Sequence, residues 1–199
     1  MSDSHCRQNR FSLPEADLFI HAGDFTNFGN GAEEFAVWYW QLPYKQKVLV
    51  LGNHEDAHAV EKRRLETWRR LFGPTLLDGE ARSVVSGEDR LTVFGAPYGA
   101  QDLSSMPNGV SIVVTHEPPF DMLDRASSGR IGQPEIAESV RRYAPRLHVF
   151  GHAHESGGRS QTDGDTLYVN AATCAMLIDV GAEAHVVRRI SPRSTTARA

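Results

Sequence analysis

Short apolar runs recur along the chain, each closed by glycine, proline or a polar cluster. Asp17–His21, Lys47–Leu51, Arg90–Phe94, Val110–Thr115, Leu147–Phe150 and Thr166–Asn170 are rich in Val, Ile, Leu and Phe. Their length and composition predict strands. Several show no alternation, which predicts burial on both faces. Ala175–Val180 and Ala182–Ile190 predict an antiparallel pair joined through Gly181. Helical stretches lie between the runs. Ala32–Gln41 is ended by Pro43. Asp56–Phe72 sets Val60, Leu65, Trp68, Leu71 and Phe72 near one face and stops at Gly73-Pro74. Pro134–Tyr143 begins on proline, with Pro145 past its end. Strand and helix alternate in the first half and strands dominate the end, so the expected fold class is α/β around a mixed sheet. Residues 1–190 are expected to form a single domain and the polar stretch 191–199 a flexible tail.

Composition narrows the function by exclusion. The 199 residues suffice for one sizeable core. A net charge of −4 offers no basic excess for a long nucleic-acid surface. No apolar run approaches the ~18 residues that cross a bilayer. The start, Met1–Arg10, is polar and carries no secretory apolar segment. Two cysteines, Cys6 and Cys174, cannot build a disulfide framework. These features point to a reduced, cytoplasmic protein. The unusual count is nine histidines.

Those histidines sit with Asp and Asn at the ends of the predicted strands. The first strand runs into Gly23-Asp24, the second into Gly52-Asn53-His54-Glu55. Val110–Thr115 runs into His116-Glu117, and Leu147–Phe150 into Gly151-His152-Ala153-His154. A fifth cluster, Asp3-Ser4-His5, opens the chain. Ligands of α/β sheets bind beyond the carboxyl ends of strands. Asp, Asn and His are oxygen and imidazole donors for borderline divalent metals. Each motif alone also fits a plainer role: Gly23-Asp24 as a turn, Asn53 as an N-cap with Glu55 complementing the helix dipole, His116 as a polar stop before Pro118-Pro119. Five together at successive strand ends do not read as turns. His54-Glu55-Asp56-Ala57-His58 matches the zincin pattern H-E-x-x-H, but that motif needs an established helix, and His54 directly follows a strand and a glycine. His58 is therefore expected on a helix surface. His21, His148 and His185 are expected as packed or surface histidines.

In order, these blocks resemble the calcineurin-like metallophosphoesterases, whose pattern is D-x-H, G-D, G-N-H-[DE], H and G-H-x-H. Within that superfamily the chain is most similar to the metallophosphoesterase-domain-containing branch. Ile20–Thr26, Leu42–Glu55, Thr115–Pro119, Leu147–Glu155 and Val169–Cys174 carry that likeness. The branch includes members with glycine at the first histidine of G-H-x-H; this chain keeps His152.

The resemblance implies two mixed β-sheets packed face to face and flanked by helices. It implies two divalent ions of the Mn, Fe, Zn or Ni type. Asp3, His5, Asp24 and His154 would hold one, and Asp24, Asn53, His116 and His152 the other, with Asp24 bridging. His54 would be catalytic, contacting the phosphate or protonating the leaving group. The nucleophile would be a hydroxide between the ions. The implied function is a phosphodiesterase acting on nucleotide-like or other small phosphodiesters. The alternatives are a phosphomonoesterase on the same centre and a non-catalytic metal- or nucleotide-binding protein. The loops Gly95–Asn108 and Asp121–Gln133 are expected to shape the pocket. One departure stands out. The family places a buried strand before D-x-H, whereas only Met1 and Ser2 precede Asp3. The chain is expected to lack that strand or to start upstream, and a fraying start would make Asp3 and His5 the most weakly held ligands.

Overall fold

The computed structural model describes residues 1–55, 62–87, 89–100 and 103–194, without the side chains of 62–64. In chain order the strands and helices are β1 (Leu18–His21), α1 (Ala32–Gln41), β2 (Gln46–Leu49), α2 (Lys62–Phe72), β3 (Glu80–Ser86), β4 (Asp89–Ala96) and β5 (Ile112–Thr115). There follow β6 (Arg125–Ala126), β7 (Gly129–Arg130), α3 (Pro134–Tyr143), β8 (Leu147–Phe150), β9 (Arg159–Asp163), β10 (Thr166–Asn170), β11 (Ala175–Val180) and β12 (Ala184–Ile190). The predicted α1 and α3 agree with the structure at both ends, and α2 ends at Phe72 as its Gly-Pro stop requires. The first turns expected for α2, with Val60 and His58, lie outside the described residues, as do 195–199 of the expected tail.

Six strands form one mixed sheet in the order β3-β4-β5-β8-β10-β9. Its inner strands β4, β5, β8 and β10 are parallel, and the two edges are antiparallel. One face packs Phe94, Val113, Phe150 and Tyr168 against Ile136 and Val140 of α3. The other face packs Val93, Val114, Val149 and Val169 against a second β layer. That layer consists of two pairs, β1-β2 parallel and β11-β12 antiparallel. Outside it, α1 and α2 cover β1 and β2 with Phe35, Tyr39, Trp68 and Phe72. The expected face-to-face sandwich is present, with its second layer in two pairs. Four strands escaped the sequence pattern: the two-residue pair β6 and β7, and the sheet edges β3 and β9. β9 is exposed at every residue and β3 buries only Val84, so neither edge shows an apolar run.

The chain's opening residues do not fray. The Met1 amine donates to Ile20 O (2.8 Å) and Ala22 N donates to Met1 O (2.9 Å), the pattern of one more parallel residue beside β1. On the other side Ser2 N donates to Ala171 O (3.2 Å) and Thr173 N to Ser2 O (3.1 Å). Asp3, His5 and Cys6 continue with backbone bonds to Gly23, Asp24 and Phe25. Met1 to Ser4 are buried. The expectation that Asp3 and His5 are loosely held is therefore corrected: both neighbouring loops hydrogen-bond the segment. At the other end, the presumed tail begins docked, with Arg193 N donating to Arg10 O (2.9 Å) and the Arg10 guanidinium donating to Arg193 O.

Between β1 and β11 lies a cavity of 370 Å³, lined by Met1, Leu18, Ile20, Val149, Met176 and Ile178. Each of these strands pairs on one side only. An apolar extension of about five residues ahead of Met1, continuing its parallel register, is expected to fill this space. A net burial of about 2 kcal/mol would raise Tm by roughly 4–8 °C in a chain of this size. Calorimetry on the extended and present chains checks this, and an unchanged Tm would show that the cavity does not accept a strand.

His148 supplies a pH dependence. The single hydroxyl proton of Thr115 goes to Glu117 O (2.6 Å), so His148 Nε2 donates to Thr115 Oγ1 (2.9 Å). Its Nδ1 is buried without a partner, and burial pushes the imidazole pKa down to about 3. Unfolded histidine titrates near 6.5. Between those values the unfolded chain binds more protons, so stability falls as pH drops through that window. His148→Phe is expected to flatten this acid limb in urea unfolding compared at about pH 7 and pH 4.5. An identical limb in the variant would show that the ring charges without cost.

Candidate metal centre

The chemistry gathers where four parallel strands end. Asp24 follows β1, Asn53 and His54 follow β2, His116 follows β5, and His152 and His154 follow β8. Asp3 and His5 reach the same point from the pinned opening segment. The glycines before these residues permit the close approach. A Cβ on Gly52 would collide with Asp24 Oδ1, and one on Gly151 with Asp3 Oδ2. Asp3, His5, Asp24 and His152 all have left-handed backbone, with φ of 54°, 41°, 56° and 66°. Such conformations cost energy for residues with a Cβ and recur where geometry serves a site.

The donor atoms form three overlapping groups: Asp3, His5 and His154; His5, Asp24 and His54; and Asp24, His116 and His152. Within each group they lie within 4.8 Å of one another. Asn53 joins the third through its Oδ1, 3.0 Å from His116 Nε2. Every site residue expected from the sequence is thus in one cluster. His54 stands among the donors too, its Nε2 3.9 Å from Asp24 Oδ2. The 53–55 segment is a single 3₁₀ turn, and the remainder of the H-E-x-x-H stretch, residues 56–58, lies outside the described residues.

Hydrogen bonds to backbone carbonyls from the outer ring nitrogens of His116 and His5 turn their Nε2 atoms toward the other donors. His116 Nδ1 donates to Ala22 O (2.7 Å), so in the neutral ring Nε2 carries a lone pair. That lone pair faces two oxygens, Asn53 Oδ1 at 3.0 Å and Asp24 Oδ1 at 3.5 Å. His5 Nδ1 donates to Thr26 O (3.4 Å), and its Nε2 lies 3.4 Å from His154 Nε2 and 3.9 Å from Asp24 Oδ2. Lone pairs converging on lone pairs repel unless a cation lies among them. The donor set therefore fits divalent ions of borderline softness.

The electrostatics follow from burial and the carboxylates. Burial alone would lower His116, but Asp24 and Asp3 outweigh it and its pKa is raised. The hydrogen bond that His154 donates to Asp3 raises the His154 pKa; burial would raise Asp3, but the same bond outweighs it and holds Asp3 below the usual carboxylate range. Burial, reinforced by the neighbouring His116, pushes His152 down to about 4, leaving it a neutral imidazole.

Three participants were not singled out from the sequence. Glu55, read there only as a dipole complement, is buried and accepts hydrogen bonds from Asp24 N (2.8 Å), Gly52 N (2.8 Å), Thr26 N (2.8 Å) and Thr26 Oγ1 (2.7 Å). Tyr98, in the loop expected to shape the pocket, sets its ring centroid 5.5 Å from that of His152. Glu117 fixes that loop by accepting from Gly99 N (2.7 Å) and Gln133 Nε2 (2.7 Å). In the second expected loop, Arg130 bridges Asp121 and Asp124. Gly29-Asn30-Gly31 forms the turn before α1, while His21 is buried with its Nε2 3.2 Å from Ser4 Oγ, bracing the opening segment. His185 is on the surface.

Comparison with known proteins places this arrangement. Residues 5–156 match the model of the calcineurin-like phosphoesterases. The human metallophosphoesterase domain-containing protein 1 is 31% identical over 217 residues, which cover 88% of this chain and 65% of the relative. A UPF0046 protein of Caenorhabditis elegans is 30% identical over 203 residues, covering 87% of this chain and 68% of its own length. The chain thus spans about two thirds of the curated relatives it matches. Among solved structures, the Thermus thermophilus sulfate thiohydrolase SoxB superposes with a TM-score of 0.55 at 18% identity, over 88% of this chain and 38% of that one. With three quarters of its length under the family model, and the strand-end donors brought into one cluster, this chain belongs to the calcineurin-like phosphoesterase family.

Proposed function

We propose that the protein is a metal-dependent hydrolase of small phosphoesters, working on two divalent ions and preferring diesters. One observation carries the reading: Asp24 lies at the junction of two donor clusters whose imidazole nitrogens converge on its carboxylate. In the proposed assignment Asp3, His5 and His154 share Asp24 with Asn53, His116 and His152. The first set would hold one ion and the second the other, with Mn, Fe, Zn or Ni all suited to these donors. Such ions supply Lewis-acid clamping of phosphoryl oxygens and a water of lowered pKa.

The chain's own residues do the rest. Asp24 would balance charge between the two sets, and divalent charge in excess of Asp3 and Asp24 would draw a phosphate anion to this point. Asn53 Oδ1 adds a neutral donor, so the excess survives. His54 stands beside Asp24 on the open side, with its Nδ1 buried and its side chain partly exposed. There it can donate a proton to the leaving oxygen or steady a phosphoryl oxygen. On the other side the Tyr98 ring stands 6.0 Å from that of His116 and 5.5 Å from that of His152. The two cysteines are unpaired, and no described helix is long and apolar enough to cross a membrane. Both accord with the reading of a cytoplasmic enzyme acting on a small, nucleotide-like substrate.

Two variants test the assignment. Asp24→Asn is expected to lower bound metal to one ion or none per chain and to abolish turnover, as measured by elemental analysis and release of p-nitrophenol from bis(p-nitrophenyl) phosphate. Two ions with normal turnover in this variant would sink the bridging role. His54→Ala in Mn²⁺-loaded protein is expected to keep wild-type metal content and lose about 10²–10⁴-fold in turnover. If metal leaves with the ring, His54 is a ligand. The diester should turn over faster than p-nitrophenyl phosphate. The reverse order makes the protein a monoesterase, and no turnover with any of the four metals overturns the hydrolase reading.

A further inference from the structure

Beside the metal centre stands a residue whose conformation and exposure are both costly. Asn27 N donates to Asn30 O (3.1 Å) and Asn30 N to Asn27 O (3.0 Å), closing a two-residue hairpin. Its central residues, Phe28 and Gly29, have φ of 50° and 84°. Turns with left-handed backbone at both central positions favour Asn or Asp followed by Gly. The second position here obeys that rule and the first does not. A bulky aromatic at left-handed φ is strained. It is also 75% exposed, the most exposed large apolar side chain among the described residues. A single exposed hydrophobic is ordinary; one that is also strained and points over a reactive group is not.

The Phe28 ring stacks on His54, with centroids 4.0 Å apart and planes 22° from parallel. One face therefore covers His54, while the remainder of the ring is open. The hairpin that carries it is fixed to the centre. Gly29 N donates to Thr26 Oγ1 (3.1 Å), and Thr26 donates through both N and Oγ1 to Glu55. The platform is thus tied to the carboxylate that positions Asp24. Space adjoins it: a cleft of 360 Å³ is lined by Asp3, His5, Asn27, His54 and His154. A group esterified to a phosphate at His54 has room in this cleft, which meets the hairpin at Asn27.

We propose that Phe28 is a specificity-determining residue, its open face receiving a planar aromatic group of the substrate's ester. This rests on the phosphoester reading and names the substrate class within it: esters of aryl alcohols or nucleosides ahead of alkyl esters. Stacking of this kind is tolerant of ring identity because every planar ring has a π-face.

Calorimetric titration of Mn²⁺-loaded protein tests the proposal without turnover. Phenylphosphonate is expected to bind at least about fivefold more tightly than methylphosphonate, a typical stacking contribution. Adenosine 5′-monophosphate set against ribose 5-phosphate asks the same of a nucleobase, and a preference in one pair alone names the source of the ring. Phe28→Asn places the residue that the turn favours. It should raise Tm by relieving strain, and it should bring the preference in either pair to about one. Phe28→Trp should preserve or enlarge the preference. A preference that survives Phe28→Asn, or equal binding of both members of each pair to the wild type, overturns the role of Phe28 while leaving the phosphoester reading standing. If none of the four compounds binds the wild type, the phosphoester reading fails and this inference falls with it. A merely structural Phe28 predicts that Phe28→Asn lowers Tm and leaves the preferences intact.

Discussion

The carboxylate of Glu55 is the constraint on which the site depends. It is buried. Four donors close around its two oxygens, three from backbone and one from the Thr26 hydroxyl. A buried carboxylate is tolerable only when its lone pairs are satisfied in this way. The arrangement joins the loop after β1 to the loop after β2 and carries the Phe28 hairpin. Burial and the neighbouring Asp24 raise the Glu55 pKa to about 7. All four partners are donors, so the ionised form matches them, and a cation at Asp24 would relieve the repulsion that opposes it. Left-handed backbone at Asp24 costs on the order of 1–3 kcal/mol; Glu55 holds it there by taking the amide proton of that same residue.

A second tie works through the opening of the chain. Met1, Ser2 and Asp3 bond the end of β1 on one side and the segment following β10 on the other. The donors of Asp3 and His5 are therefore set by the sandwich itself. Asp3 also accepts from His152 N (3.1 Å) and lies 2.9 Å from His154 Nε2, so the loop after β8 is aligned to the same carboxylate. The three carboxylates share the loops among them: Glu55 joins those after β1 and β2, Asp24 braces the latter again by accepting the His54 amide (2.9 Å), and Asp3 aligns the one after β8.

What the sequence displayed was whatever had a periodic or punctuated cause. Leu147–Phe150 is a continuous apolar run because β8 is buried on both faces, and its bounds were readable. Pro134 and the Gly73-Pro74 stop marked helix ends for stereochemical reasons that act locally. The metal-cluster residues were readable because each stands directly after such a strand. Glu55 was not, since three of its four donors, on Asp24 and Thr26, are distant in sequence and its own position suits a helix dipole equally well. The edge strand Arg159–Asp163 was invisible because it borrows its pairing from β10 and buries nothing itself. The firm seating of Met1–Asp3 was missed for the same reason: two parallel neighbours supply it, and neither is close in sequence. Phe28 belongs to no motif in the sequence, and only its φ and its ring partner set it apart.

The three carboxylates also determine what must accompany them. Asp3, Asp24 and Glu55 are 3%, 2% and 1% exposed, and the cations nearest to Asp3 and Asp24 are imidazolium ions that exist only when protonated. In this low-dielectric cluster the negative charge needs either protons on His116 and His154, whose pKa values it raises, or metal ions in their place. Both occupy the same nitrogen lone pairs, so they compete, and metal uptake must release protons. The fold therefore carries a site that is unfavourable on its own account, with left-handed backbone at four donor residues and like charges in proximity. The rigid sandwich supplies the stability that holds these donors together, and a bound cation returns part of it.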